Sequence, residues 1–173
     1  MELRDVAPGL WIWRAEHPDW APHLGWPPTV TSTCVESAGE VALLDPLAPP
    51  DDATDIWERL DARPPTLVVV LKPDHVRDVD VFGRRYEARA YGPALFWRTD
   101  IPEIHLEPIE PGSELPGGLV ALYDGRGRNE TPLWLPEQRA LVFAPFEHVI
   151  VSHGEPVHDR AAYERALELP PYG

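Results

Sequence analysis

Residues 66–78, TLVVVLKPDHVRD, decide the fold. The first half is a continuous apolar run, which is typical of a strand buried on both faces of a sheet. The second half is a polar loop that carries His75 and Asp78 and leads into a helix predicted from about residue 78 to 87. Ligand sites in sheets of this kind cluster outside the carboxyl ends of the strands. The loop after Leu71 is therefore where we look first for chemistry.

The segments on either side of this stretch alternate between strand and helix patterns. Acidic residues from 51 onward suit a helix N-terminus, and Pro64–Pro65 ends that helix. Strand, helix, strand, helix, strand is the pattern of helices packed on a sheet, so we expect an α/β (α+β) fold with two strand-rich blocks. We predict strands at 10–13, 29–36, 41–45, 66–71, 88–91, 104–109, 119–123, 133–135, 139–143 and 148–152, and helices at 51–60, 78–87 and 159–169.

The composition limits the kinds of ligand that we expect the protein to bind and the cellular compartment in which we expect it. The chain has 173 residues, which suits one domain, and 15 Lys+Arg against 29 Asp+Glu give a net charge of −14. Such an acidic chain repels a phosphate backbone, so we expect a small-molecule ligand and no nucleic acid. Cys34 is the single cysteine, which excludes an intramolecular disulfide and predicts a cytoplasmic location. No apolar run approaches the ~20 residues of a membrane-spanning helix, so no membrane is expected. The oligomeric state stays open.

Two short segments carry candidate metal ligands. His75 and Asp78 are three residues apart, which on a tight loop brings an imidazole and a carboxylate to one metal or one proton. The alternative is that Asp78 caps the following helix and His75 is an ordinary loop residue. His153 follows the apolar strand 149–152 and precedes a glycine, which predicts either a rigidly held ligand or a satisfied turn residue.

An aromatic loop is predicted between the strands 10–13 and 29–36. Residues 17–28 contain Trp20 and Trp26 among four prolines. Loops of this length and composition are lids or pocket walls in some proteins and hydrophobic flaps over the core in others, and both interpretations stay open here.

Four segments in this order resemble the metallo-β-lactamase superfamily: GEVALLDP at 39–46, LVVVLKPDHVRD at 67–78, ETPLWLPEQRALVFA at 130–144 and VIVSHGEPV at 149–157. The resemblance covers nearly the whole chain. It implies a single domain, residues 1–173, folded as an αββα sandwich. It also implies a His-x-His-x-Asp-His loop that holds one or two Zn²⁺ with later ligands, and a metal-bound water that attacks an ester, thioester, lactam or phosphodiester.

The chain departs from this motif at several ligand positions. Pro73 stands at the first His, His75 at the second, Arg77 at the Asp and Asp78 at the last His, while Glu130 replaces the His of the family's Gly-His-Thr-Pro segment. The family's bridging Asp is missing, because the strand ending at residue 144 runs directly into Pro145. A loop and helix near 144–145 are either lost or omitted from the chain.

The resemblance then implies an altered site of at most one metal. A guanidinium in a cation site is repelled by metal ions, so two metals are not expected. The alternative is a catalytically inactive scaffold that holds no metal, with Arg77 paired to Asp78 or Glu130, and that binds a ligand or partner through the aromatic loop. The candidate residues are His75, Asp78, Glu130 and His153 for one Zn, Mn or Fe ion, and Arg77, Trp20 and Trp26 for substrate.

Overall fold

The computed structural model describes residues 1–94, 101–122 and 131–143. The predicted strand at 148–152, the predicted helix at 159–169, the 144–145 junction, Glu130 and His153 lie outside these residues. Within them the elements are β1 (Glu2–Ala7), β2 (Leu10–Glu16), β3 (Thr29–Ser37), β4 (Glu40–Leu44), α1 (Thr54–Ala62), β5 (Leu67–Val69), α2 (Val79–Tyr86), β6 (Arg89–Gly92), β7 (Glu107–Pro108), β8 (Glu114–Leu115), β9 (Leu119–Ala121), β10 (Leu133–Leu135) and β11 (Ala140–Val142).

The larger sheet has seven strands in sequential order, β1 to β7. Strands β1 to β4 pair antiparallel, and β4 to β7 pair parallel. The carboxyl ends of β4, β5 and β6 therefore meet at one edge of the sheet. Because β3 is antiparallel to β4, its amino end and the carboxyl end of β2 lie at the same edge. This edge consequently gathers the aromatic loop between β2 and β3 and the loop that follows β5.

Both helices cover one face of this sheet. Trp11, Trp13 and Phe82 are fully buried there, and their rings contact one another in sequence, with centroids 5.5 and 6.3 Å apart. Burying large aromatic rings contributes strongly to stability because each removes a large apolar area from water. The other buried members of this core are Cys34, Val41, Leu43, Ala53, Ile56, Leu60, Val68, Val70, Val76 and Val79.

The second sheet covers the opposite face. Its four strands run in the order β11-β10-β9-β8, all antiparallel. Leu119, Leu133 and Leu135 from this sheet pack against Leu44 and Val69 of the first. Strands β4 and β5 are therefore buried on both faces, as the apolar run at 66–71 predicts. The described part of the chain forms helix, sheet and sheet layers, which confirms the fold class.

Some strands differ from the sequence-based prediction. Strand β1 is absent from that prediction, since its sequence ELRDVA is charged and mostly exposed, as is common for an edge strand protected against further pairing. Of the strand predicted at 104–109, only Glu107–Pro108 forms a strand, opposite Tyr91 and Gly92 of β6. Among the described residues, no helix is long and apolar enough to cross a membrane.

Candidate functional site

Asp45 organises the edge where β4 and β5 end. Its backbone lies in the left-handed region with a φ of 46°, which costs about 1–2 kcal/mol for a residue with a side chain. Its N–H donates to the Val69 carbonyl at 2.9 Å, and its Oδ1 accepts the Leu71 N–H at 2.7 Å. The unfavourable backbone is thus maintained by contacts that join the two parallel strands beyond their last ladder pair.

The second carboxylate oxygen of Asp45 binds His75. His75 Nδ1 lies 2.8 Å from Asp45 Oδ2, and both side chains are largely buried, with exposed fractions of 12% and 8%. The His75 N–H also donates to the Lys72 carbonyl at 2.9 Å, which closes the loop into a turn. An ionised carboxylate only accepts hydrogen bonds, so the pair places a proton on Nδ1 of His75. In a neutral imidazole with this proton the lone pair lies on Nε2, and that form binds a metal or accepts a proton.

Arg77 lies across the base of the same loop. Its Nη1 donates to the carbonyl of Thr31 at 2.9 Å and to the carbonyl of Asp45 at 2.5 Å. Arg77 also has a left-handed backbone, with a φ of 44°. Burial lowers the pKa of its guanidinium, and the negative charges of Asp45, Asp74 and Asp78 act in the opposite direction. The guanidinium therefore supplies positive charge inside this loop.

Asp78 supports the neighbouring loop. Its Oδ2 accepts the Ala48 N–H at 2.7 Å, and its own N–H donates to the Pro46 carbonyl at 3.2 Å. Asp78 is also the N-cap residue of α2, but its side chain makes no capping hydrogen bond to that helix. The alternative role considered from the sequence, a helix cap, is thus replaced by a contact with the segment after β4. Within the described residues, this contact uses one of the two carboxylate oxygens of Asp78.

Lys72 adds a second cation to the loop. Lys72 is only 9% exposed, and its Nζ lies 2.9 Å from Asp74 Oδ2. Together Lys72 and Arg77 balance much of the negative charge that Asp45, Asp74 and Asp78 bring to this edge. The loop is therefore close to electrically balanced through its own side chains.

The aromatic loop has a small packed centre of its own. Trp20 Nε1 donates to the Trp26 carbonyl at 2.7 Å, and the Trp26 ring meets the His17 ring edge-on at 5.5 Å. Both tryptophans are half-buried, and neither belongs to the two hydrophobic cores. The loop is closed at its base by a hydrogen bond from the His17 N–H to the Pro28 carbonyl. These contacts favour a wall beside the sheet edge over a flap on the core.

The described residues supply only part of the proposed metal site. Among them, no group of three or more His, Cys, Asp or Glu side chains is placed to hold a metal ion. His75 and Asp78 lie on this loop, while Glu130 and His153 are outside the described residues. Of the described donors, His75 fits a divalent ion, because its Nδ1 is fixed by Asp45 in the manner usual for metal-binding histidines. Pro73 has no side-chain donor and Arg77 is a cation, so neither supplies a ligand for a second ion.

Sequence reasoning misses the importance of Asp45 and Thr31. Asp45 is the acid that ends the predicted strand 41–45, but the candidate site predicted from the sequence does not include it. A signal is available, since an acid at the carboxyl end of a strand beside 66–71 lies at the edge where ligands bind. Thr31 contributes a main-chain carbonyl, for which no side-chain pattern exists.

Comparison with known proteins agrees with this architecture. No protein-family model and no curated protein sequence matches the chain. Solved structures match at probability 1.00, and they define the class: the chain has the metallo-β-lactamase fold.

Three structures illustrate the similarity. The metallo-beta-lactamase IND-7 is 18% identical, with a TM-score of 0.60 over 81% of this chain and 68% of that one. The metallo-beta-lactamase FIM-1 from Pseudomonas aeruginosa, in its mono-zinc form, is 18% identical, with a TM-score of 0.58 over 79% and 65%. A metallo-beta-lactamase family protein from Thermus thermophilus is 17% identical, with a TM-score of 0.56 over 80% and 59%.

Proposed function

We propose that this protein is a hydrolase-like member of the metallo-β-lactamase fold with at most one metal ion, acting on a small ester or thioester. The ligands proposed are His75, Asp78, Glu130 and His153. The observation that carries the proposal is the buried Asp45–His75 pair at the carboxyl edge of the parallel strands. A carboxylate that binds one imidazole nitrogen, leaving the other to face a ligand, is the arrangement that supports metal-binding histidines.

The chemistry of the donor set is consistent with one divalent ion. Two imidazoles and two carboxylates suit Zn²⁺, Mn²⁺ or Fe²⁺. A bound ion of this kind lowers the pKa of water to about 7 and polarises an acyl oxygen. The role of Asp45 is to fix the orientation and the proton of His75, and Asp78 has one oxygen left after its contact with Ala48. FIM-1, a structural neighbour, is a precedent for the fold holding one zinc.

The proposed substrate site lies between this loop and the aromatic loop. Trp20 and Trp26 offer an apolar wall that suits the hydrophobic part of a small acyl substrate. Arg77 would meet an anionic group of the substrate only through guanidinium atoms other than Nη1, which is used by the Thr31 and Asp45 carbonyls. Substrate contact therefore relies first on the two tryptophans.

Ester and thioester hydrolysis by the full chain tests this proposal. Protein purified without chelator is assayed on p-nitrophenyl acetate and on an acyl-thioester, before and after chelation and after return of Zn²⁺, Mn²⁺ or Fe²⁺. We expect activity that chelation removes and one of the metals restores, and that is lost in His153→Ala. Arg14→Met, a change in an exposed ion pair with Glu2, is the matched control and retains activity. Hydrolysis that is absent under every metal condition contradicts the proposal.

A second candidate function is a metal-free binding module of the same fold. The observation that favours it is the use of Asp78 and Arg77 for backbone contacts within the chain. Its ligand would contact the aromatic loop, so replacing Trp20 and Trp26 by Ala removes ligand binding and leaves thermal stability nearly unchanged. A collapse of stability in that double variant contradicts the binding role, because it makes the tryptophans part of the fold's core.

A further inference from the structure

Within the described residues Asp45 has four partners, and one of them binds a group that the other three do not. The Asp45 N–H donates to the Val69 carbonyl, and the Asp45 carboxylate binds the Leu71 N–H and His75 Nδ1. The Asp45 carbonyl is a separate group, on a residue whose backbone lies in the left-handed region. The partner of that carbonyl is the guanidinium of Arg77, at 2.5 Å.

The same atom of Arg77 binds a second strand. Nη1 donates to the carbonyl of Thr31, in the early part of β3, while it donates to Asp45 at the end of β4. The guanidinium thus joins the main chains of adjacent strands at the edge where their ladder ends, after the Thr33–Leu44 pair. Because the guanidinium is charged, its hydrogen bonds to the two carbonyls are charge-assisted and stronger than neutral ones.

We infer that Arg77 is a positioning residue: by binding the Asp45 carbonyl it holds Asp45 in the left-handed conformation from which its carboxylate fixes the proton and the orientation of His75. The importance of this role for metal binding rests on the proposed function, in which His75 is a ligand. The role itself concerns only contacts between Arg77, Asp45 and His75. Arg77 therefore acts through Asp45 and needs no contact with the substrate.

The tautomer of His75 is the direct readout, and it requires no metal. Nitrogen-15 NMR of the full-length protein, with His75 assigned by comparison with His75→Gln, reports which ring nitrogen carries the proton. We expect the Nδ1–H form in the wild type and a mixture of the two tautomers in Arg77→Met. Arg77→Lys keeps a charged donor that can meet both carbonyls, so it restores the Nδ1–H form. Arg14→Met is the matched control and leaves the tautomer unchanged.

Affinity for Zn²⁺ alone is the second readout. Loss of a group that supports a ligand typically lowers metal affinity by ~10–100-fold, and we expect a reduction of that size in Arg77→Met. A merely structural role predicts a lower melting temperature with the wild-type tautomer retained, and that result overturns the inference. If Arg77→Met does not fold, Arg77→Gln, which is also uncharged, replaces it. A wild-type His75 without a proton on Nδ1 overturns the inference whatever the variants do.

The two claims fail separately in this experiment. A wild-type protein that binds no Zn²⁺ contradicts the proposed function, while the tautomer comparison still decides whether Arg77 positions His75. Conversely, the wild type binds Zn²⁺ and Arg77→Met has the same affinity and the same tautomer if Arg77 has no positioning role. That result leaves the proposed function in place and contradicts the role of Arg77.

Discussion

Two clusters that combine a carboxylate, an arginine and a ring differ in the groups to which they bind. In the exposed cluster between the helices, Asp61 accepts hydrogen bonds from Arg85 at 2.9 Å and from the Tyr86 hydroxyl at 2.7 Å, and the Arg85 guanidinium lies 4.6 Å over the Trp57 ring. Its contacts are between side chains. In the buried cluster at the sheet edge, Asp45 and Arg77 bind mainly to main-chain groups.

The exposed cluster therefore links two helices, whereas the buried cluster has the features of a functional site. The side chains of the exposed cluster bind one another and tie α1 to α2. The carboxylate and guanidinium of the buried cluster hold main-chain groups in an unfavourable conformation, and the carboxylate also binds one imidazole nitrogen, His75 Nδ1. Strained backbone at the carboxyl edge of a parallel sheet is typical of functional sites.

Replacing Asp45 by Ala is expected to have the largest effect. The change leaves the Leu71 N–H and His75 without their acceptor in a buried setting, so the free energy of unfolding falls by about 3–5 kcal/mol. Urea denaturation measures the change. The comparison variant is Asp61→Ala in the exposed cluster, where loss of a surface ion pair costs about 1 kcal/mol or less. Equal losses in the two variants remove the distinction between the clusters.

His75→Gln separates metal binding from stability. A glutamine amide can still donate to Asp45, so the free energy of unfolding changes by about 1 kcal/mol. The variant lacks the imidazole that would bind the metal, so Zn²⁺ affinity falls by more than ~100-fold. Calorimetric titration with Zn²⁺ measures the affinity. An unchanged affinity means that His75 is not a ligand.

Two substitutions at Asp78 distinguish its support of the Ala48 N–H from its proposed ligand role. Asp78→Ala removes the acceptor and costs about 1–2 kcal/mol of stability. Asp78→Asn keeps an oxygen for Ala48 and costs less than half of that, while its neutral amide is a weaker metal ligand. Urea denaturation and Zn²⁺ titration of both variants are the measurements. If Asp78→Asn leaves the Zn²⁺ affinity at the wild-type value, Asp78 serves only to support the loop.

The smallest expected effect is the pH dependence contributed by Tyr86. Burial, together with the hydrogen bond to Asp61, raises the pKa of Tyr86 from about 10 to about 12. As the pH rises above 10 the unfolded chain releases this proton first, so the stability that Tyr86 contributes is present below pH 10 and is lost between pH 10 and 12. Tyr86→Phe removes that part of the pH dependence in thermal denaturation. An identical profile in both proteins contradicts the assignment.

Much of the fold could be predicted from the sequence because it is encoded in local patterns. The apolar run at 66–71 indicates a strand buried on both faces, and the acidic start near residue 51 indicates α1. Strand β1 is missed because an exposed, charged edge strand lacks the alternation of apolar residues that reveals a half-buried one.

The site could be predicted less completely for a physical reason. Spacing in the loop identifies His75 and Asp78, and residue type identifies Arg77 as an unusual cation in this position. The partner of His75 is thirty positions earlier in the chain, and the two meet only because β4 and β5 pair in parallel with Leu44 opposite Val69. The carbonyls that bind Arg77 belong to the main chain, which carries no sequence signal. Glu130 and His153 remain predictions.

The metal content of the full chain tests the central claim most directly. Protein purified without chelator and then dialysed against Zn²⁺, Mn²⁺ or Fe²⁺ is assayed by elemental analysis, beside His75→Gln and the control Arg14→Met. We expect one equivalent of metal in the wild type and in the control, and none in His75→Gln. Two equivalents in the wild type, or no metal under any loading condition, contradict a site built around His75 for a single ion.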